Sequence, residues 1–264
     1  MFLWNNHLLL KTPEHQIADV FQGNGVFETI LVTENAIPVL WDQHIQRLKK
    51  GAAFLGTKLT IDASSLRKAL IQHIQQEKIN TCLRLNLILL PQRKDLIVRF
   101  FPFHWPQKPS RLYVTEQYHR GNSPHYQYKT LSRIENSYFL QIAKDNNCDD
   151  FLILDCHSNM LETCLANIFF VRDDSTIETP LAKNMPFLNG VVRQYLLDCQ
   201  KELNIKCIER MIPLNSIGNY TQAFITNGLR LIQPVSQIGH RHFSQTDMGW
   251  SLSNLLLGKK RGRL

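Results

Sequence analysis

Apolar residues along the chain fall into short strand-like runs and longer helical stripes, and the two periods take turns. Near the start, "GVFETILV" and "IPVLW" are apolar runs separated by "TENA", a pattern that predicts a hairpin. Asp42 is then placed to cap a helix through "QHIQRLKKGAAFL", where Ile45, Leu48, Ala52 and Leu55 form one stripe. A second helix is predicted over "SLRKALIQHIQQEK", followed by strands at "CLRLNLILL" and "DLIVRFFPF". The two prolines of "HWPQKPS" oppose helix continuation and mark a linker. Beyond it, "RLYVTEQY" reads as a strand, and Ser132 with Glu135 has the capping-box spacing that starts a helix through "NSYFLQIAKDN". "DFLILD", "MLETCLANIFFV" and "TIETP" predict a meander with turns at "CHSN" and "RDDS". Gly190 precedes a helix over "VVRQYLLDCQKEL", and "AFITNGLRLIQPVSQIG" returns to strand before a short last helix. The expectation is an α/β (α+β) chain with an N-terminal α/β domain over 1–107, a linker and first strand over 108–120, and a C-terminal α/β domain over 121–264.

Length and composition sharpen this in a few places. At 264 residues the chain is long enough to bury a sizeable core. No apolar run reaches the roughly 18 residues of a spanning helix, so no membrane segment is expected. "MFLWNNHLLLKTPEH" lacks the ordered regions of a signal peptide, which predicts a cytoplasmic protein. The six cysteines show neither CxxC nor zinc-type spacing and are expected as small buried apolar residues, with no metal site. Net charge is +8, and the tail "GKKRGRL" supplies four of the cations. That tail has no interleaved aromatics and no groove-reading helix, so nucleic acid is not an expected partner. A basic chain does favour encounter with anionic small substrates.

Several residues invite a chemical reading, each beside a plainer one. Lys129 lies just ahead of a helix start, where its amine could serve as a nucleophile or simply meet solvent. Glu162 interrupts the apolar run "MLETCLANIFF"; it either faces water or is buried with a cationic partner. Gly190-Val191-Val192 opens a helix whose N–H groups could receive an anion, or is only a turn. Arg47 suits a phosphate but could be an exposed helix charge. Thr226 in "FITNG" could bind an anion or form a turn.

Taken in order, "GNGVFETI", "DQHIQRL", "QYKTLSRIEN", "DDFLILDCHSNMLETCLANIFFV", "FLNGVVRQYLL" and "FITNGLRLIQPV" resemble the class IV aminotransferase family of pyridoxal-phosphate enzymes across nearly the whole chain. The resemblance implies two α/β domains with the cofactor in the cleft between them, in a homodimer. It implies Lys129 as the Schiff-base lysine and Glu162 as the carboxylate that keeps the pyridine nitrogen protonated. The cofactor phosphate would meet the N–H groups of Val191 and Val192, with Arg47 and Thr226 as further donors, and Arg84 and Glu28 would lie at the substrate. Within the family, "RGNSPHYQYKTLSRIEN" looks most like 4-amino-4-deoxychorismate lyases, which release 4-aminobenzoate and pyruvate for folate synthesis. The alternative is a transaminase of D-amino or branched-chain amino acids, and a remote one is a non-catalytic basic binding protein. The chain departs from the family at Asn24, where an Asp is usual, at Ser132, where an Asn is usual, and at "PQRKD", which replaces a glycine-rich loop.

Overall fold

The computed structural model describes residues 2–4, 9–11, 23–90, 96–244 and 246–258. The "PQRKD" segment and the basic tail therefore lie outside the described residues. The chain divides into two compact units, Met1–Trp105 with Tyr128–Arg133, and Pro106–Gln127 with Ile134–Leu264. Lys129 differs from expectation: its segment groups with the first unit rather than with the C-terminal part.

In the first unit, strands β1 (Phe2–Trp4), β2 (Leu9–Lys11), β3 (Val26–Val32), β4 (Leu83–Leu89) and β5 (Leu96–Pro102) form an antiparallel sheet in the order β2-β1-β5-β4-β3. Helices α1 (Trp41–Phe54) and α2 (Ala63–Gln76) share its core, where Ile30, Val32, Leu85, Leu87 and Val98 meet Ile45, Leu48, Leu66 and Leu70. The side-chain period of two therefore turns Val26, Glu28, Ile30 and Val32 of β3 toward the helices. The second hairpin strand expected at "IPVLW" does not form. Only Pro38 bridges back, to Val32, and Leu40 then adopts a left-handed conformation (φ 51°) and starts α1 one residue later. Thr33 N donates to Ile37 O and Val39 N to Leu31 O on either side of that bridge, and the left-handed turn at Leu40 ends the return there. Asp42 accordingly lies in the first turn of α1 rather than at its cap, where its charge still complements the helix dipole.

The second unit is a ten-stranded sheet of β6 (Ser110–Tyr113), β7 (His119–Arg120), β8 (Asp150–Asp155), β9 (Met160–Thr163), β10 (Asn167–Val171), β11 (Ile177–Pro180), β12 (Cys207–Arg210), β13 (Gln222–Asn227), β14 (Leu231–Ile238) and β15 (Arg241–His242); β6, β8, β9, β10, β13 and β14 frame the candidate site. Their pairings run β8–β9–β10–β13–β14–β6 and back to β8, a closed ring. Leu112, Leu152, Leu154, Ile168, Phe170, Ile225 and Val235 fill one cluster on this ring, and α3 (Ile134–Asp145) packs Phe139 and Ala143 against Phe151 and Ile153 in another. Closure leaves these six strands no unpaired edge. The capping box expected at Ser132 and Glu135 is not what holds α3. Its Glu135 carboxylate instead accepts from Arg120 and Tyr126, and the helix begins at Ile134. The long strand expected at "MLETCLANIFFV" is two strands with a turn at residues 164–166, and "VVRQYLLDCQKEL" splits into α4 (Val191–Asp198) and α5 (Gln200–Leu203).

Candidate active site

Lys129 is positioned by backbone bonds to the start of β3. Its carbonyl accepts from Phe27 N at 3.0 Å, Leu131 N donates to Gly25 O at 2.9 Å, and Thr130 bridges Val26. Gly25 permits this approach, because a Cβ there would lie 2.7 Å from Leu131 Cδ1 and 2.8 Å from Leu89 O. Tyr128 fixes the segment further by stacking on Phe54, with ring centroids 4.0 Å apart. The Lys129 Nζ sits 4.6 Å from the centre of the Phe27 ring, whose negative face stabilises an ammonium.

On the helix-facing side of β3, Glu28 is fully buried and both its oxygens are engaged. Arg47 Nε donates to Oε1 at 2.8 Å and Nη2 to Oε2 at 2.6 Å, and His44 Nδ1 lies 2.7 Å from Oε2. Burial alone would raise the Glu28 pKa, but Arg47 and then His44 outweigh it and hold it at about 2. The His44 pKa is pushed down, first by burial and further by the charges of Arg47 and Lys129, against the pull of Glu28. An ionised carboxylate only accepts, so the neutral imidazole carries its proton on Nδ1 and donates it to Glu28. Its Nε2 is buried with no hydrogen-bond partner among the described residues. Glu28 thus accepts from Arg47 on both oxygens and pins its guanidinium. Arg47 holds a fixed orientation with two of its three guanidinium nitrogens committed. Arg84 lies on β4, its guanidinium 4.3 Å above the Phe101 ring.

The second unit brings two of the remaining expected residues, Glu162 and Thr226, into one register row. Glu162 on β9 pairs with Asn167 on β10, which pairs with Thr226 on β13. Residues paired across antiparallel strands present their side chains on one face. Glu162 is 8% exposed and has the buried cationic partner its surroundings demanded, Arg120, whose Nη1 donates to Oε1 at 2.7 Å. Burial opposes the Arg120 charge, but Glu162 and Glu135 overcome it and raise the pKa of the guanidinium. The Arg120 Cζ also stands 4.3 Å over the Tyr126 ring. Asn167 donates Nδ2 to Leu188 O at 2.7 Å and accepts at Oδ1 from Gly190 N at 3.0 Å. Gly190 is the N-cap of α4, with no side chain capping the helix, so the N–H groups of Val191 and Val192 open an anion-receptive helix start. Thr226 adds a hydroxyl that is buried and has no partner among the described residues, on the strand against which α4 packs.

These features fit pyridoxal phosphate. An uncapped helix start and an orphaned hydroxyl suit a phosphate, and a carboxylate paired with the Arg120 guanidinium suits a pyridinium nitrogen. Arg120, Asn167 and His44 escaped the sequence reading. His44 lies three residues before Arg47, hence on the same helix face, and Asn167 interrupts the same apolar run as Glu162. Those were the available signals. Among the described residues no helix is long and apolar enough to cross a membrane, and no three His, Cys, Asp or Glu residues stand together to hold a metal ion.

Comparison with known proteins agrees with this picture. The profile of the family described as amino-transferase class IV matches residues 25–238. A candidate branched-chain-amino-acid aminotransferase from Rickettsia felis is 27% identical over 238 residues, covering 85% of this chain and 79% of that protein. The branched-chain aminotransferase of Thermoproteus uzoniensis, solved with norvaline, superposes with a TM-score of 0.85 at 19% identity, covering 99% of this chain and 96% of that one. A candidate 4-amino-4-deoxychorismate lyase from Legionella pneumophila superposes with a TM-score of 0.80 at 24% identity, covering 91% and 93%.

Proposed function

The chain belongs to the class IV aminotransferase family, whose enzymes use pyridoxal phosphate, and from that premise we propose that it is a 4-amino-4-deoxychorismate lyase, acting as a cytoplasmic homodimer. The observation that carries the catalytic part of this reading is the buried Glu162–Arg120 pair in register with Asn167 and Thr226. Glu162 would face the ring nitrogen, and Val191, Val192, Thr226 and Arg47 would hold the phosphate. The bound cofactor supplies an electron sink for charge left on the amine-bearing carbon of the substrate. Lys129 Nζ anchors the cofactor, then takes the proton from that carbon and returns it to the departing three-carbon fragment. The substrate thereby divides into 4-aminobenzoate and pyruvate without a co-reactant.

Support for the lyase over a transaminase comes from "RGNSPHYQYKTLSRIEN"; the fold itself is shared with the Legionella protein and with the Thermoproteus aminotransferase alike. A transaminase of branched-chain or D-amino acids is the second reading, favoured by the Rickettsia relative. Paired assays separate them. Purified protein with pyridoxal phosphate is expected to release 4-aminobenzoate from aminodeoxychorismate, and borohydride is expected to fix the pyridoxyl group on Lys129. Conversion of the cofactor to its amine form by ordinary amino acids, with no 4-aminobenzoate formed, would overturn the lyase in favour of the transaminase.

A further inference from the structure

Asn167 joins two parts of the second unit that the proposed function uses separately. Its Oδ1 accepts from Gly190 N at 3.0 Å, one Nδ2 hydrogen goes to Leu188 O at 2.7 Å, and Nδ2 also lies 3.5 Å from Glu162 Oε2, at the long end of hydrogen-bond reach. The side chain is buried between Glu162 and Thr226 in the register row. Resting on the reading that this chain binds pyridoxal phosphate, we propose that Asn167 is a positioning residue that locks the ring-nitrogen carboxylate and the phosphate-binding start of α4 into one arrangement.

The chemistry of the amide explains why an asparagine does this. It offers an acceptor and two donors without a charge, and each is used in a different direction. Tying up Gly190 N makes Val191 and Val192 the first N–H groups of α4 left for an anion. The fit at Gly190 is close: a Cβ there would overlap Asn167 Oδ1, so helix start and amide are matched to one another. On the other side, a neutral donor orients Glu162 Oε2 while Arg120 balances its charge from Oε1. An aspartate could still accept from Gly190 but would set a second carboxylate beside Glu162, and two such groups share a proton. An alanine would leave Gly190 N and Leu188 O unpaired.

The test compares pyridoxal phosphate with pyridoxal, which lacks the phosphate, on wild type, Asn167→Ala and Asn167→Asp, by visible absorbance. In Asn167→Ala the preference for the phosphorylated form is expected to fall about tenfold, as for one lost tether of a charge-assisted contact. In Asn167→Asp that preference stays within about threefold of wild type, and the visible band gains a new titration step between about pH 5 and 8 from the carboxylate pair. A residue that only supports folding would weaken both ligands alike and add no step. Uniform weakening, or the absence of the new step, overturns the proposal; should Asn167→Ala not fold, Asn167→Asp decides alone. Wild-type protein that takes up no pyridoxal phosphate sinks the function and this inference together. Normal uptake with unmoved variants sinks the inference alone.

Discussion

Glu28 and Glu162 are both carboxylates buried among apolar residues, and their partners assign them different work. Glu28 has Arg47 on both oxygens and His44 on one, so its contacts serve the packing of α1 on β3. Glu162 gives one oxygen to Arg120 and has Asn167 Nδ2 3.5 Å from the other. Glu28→Gln is expected to cost stability, about 3–5 kcal/mol at pH 7, since it leaves the Arg47 charge uncompensated. A carboxyl lowered to about 2 in the fold contributes stability above its unfolded value and loses it as pH falls through the folded one. The gap between wild type and Glu28→Gln should thus shrink as pH falls from about 5 toward 2, measured by urea unfolding at each pH. A constant gap would mean that the ion pair with Arg47 is not what holds Glu28. Glu162→Gln makes the contrasting prediction: cofactor uptake persists while turnover drops by at least about tenfold, and unchanged turnover refutes its role beside the ring nitrogen.

Among the elements, β8 depends on a carboxylate of the opposite temper. Asp150 opens the strand, accepting from Phe151 N, Cys164 N and the Thr163 hydroxyl, and so ties β8 to the end of β9 and the turn after it. Burial pushes its pKa up to about 6 despite those donors. A carboxyl raised in the fold contributes most below its unfolded pKa of about 3.9 and loses that contribution as pH climbs through the folded value. Asp150→Asn removes this titration, so the variant should gain about 3 kcal/mol relative to wild type between pH 4 and 7. Parallel unfolding curves at the two pH values would refute it. The elements also show what a sequence can disclose. β3, β4, α1 and α2 were legible because their apolar spacing matches the structure they bury in. "IPVLW" was misleading because Leu40 turns left-handed and ends, after one bridge at Pro38, the ladder that the apolar run suggests. The spacing of Ser132 and Glu135 is equally suggestive, yet Glu135 is drawn away by Arg120. Glu162 stood out as a charge inside an apolar strand, whereas its partner Arg120 lies 42 residues earlier, and no local period reports such a distance. Lys129 joined β3 through backbone bonds, which carry no side-chain pattern at all.

The whole molecule carries a net charge of +8, and the four cations at Lys259, Lys260, Arg261 and Arg263 make up half of it. The described elements end with α6 (Asp247–Leu256), and every residue of the candidate site precedes it. Two consequences follow if the substrate is the one proposed, which carries two carboxylates. Long-range attraction raises encounter rates and is screened within about 8 Å at physiological salt, whereas groups holding the cofactor act at contact distance. Deleting residues 259–264 takes the formal charge from +8 to +4 and should leave kcat and cofactor uptake unchanged. It should, however, flatten the fall of kcat/KM as salt rises from about 20 to 200 mM, because steering scales with the protein's field. Loss of cofactor uptake on deletion would place the tail in the site itself. An unaltered salt slope would instead assign the steering to cations nearer the substrate, of which Arg84 is the first to replace with Gln.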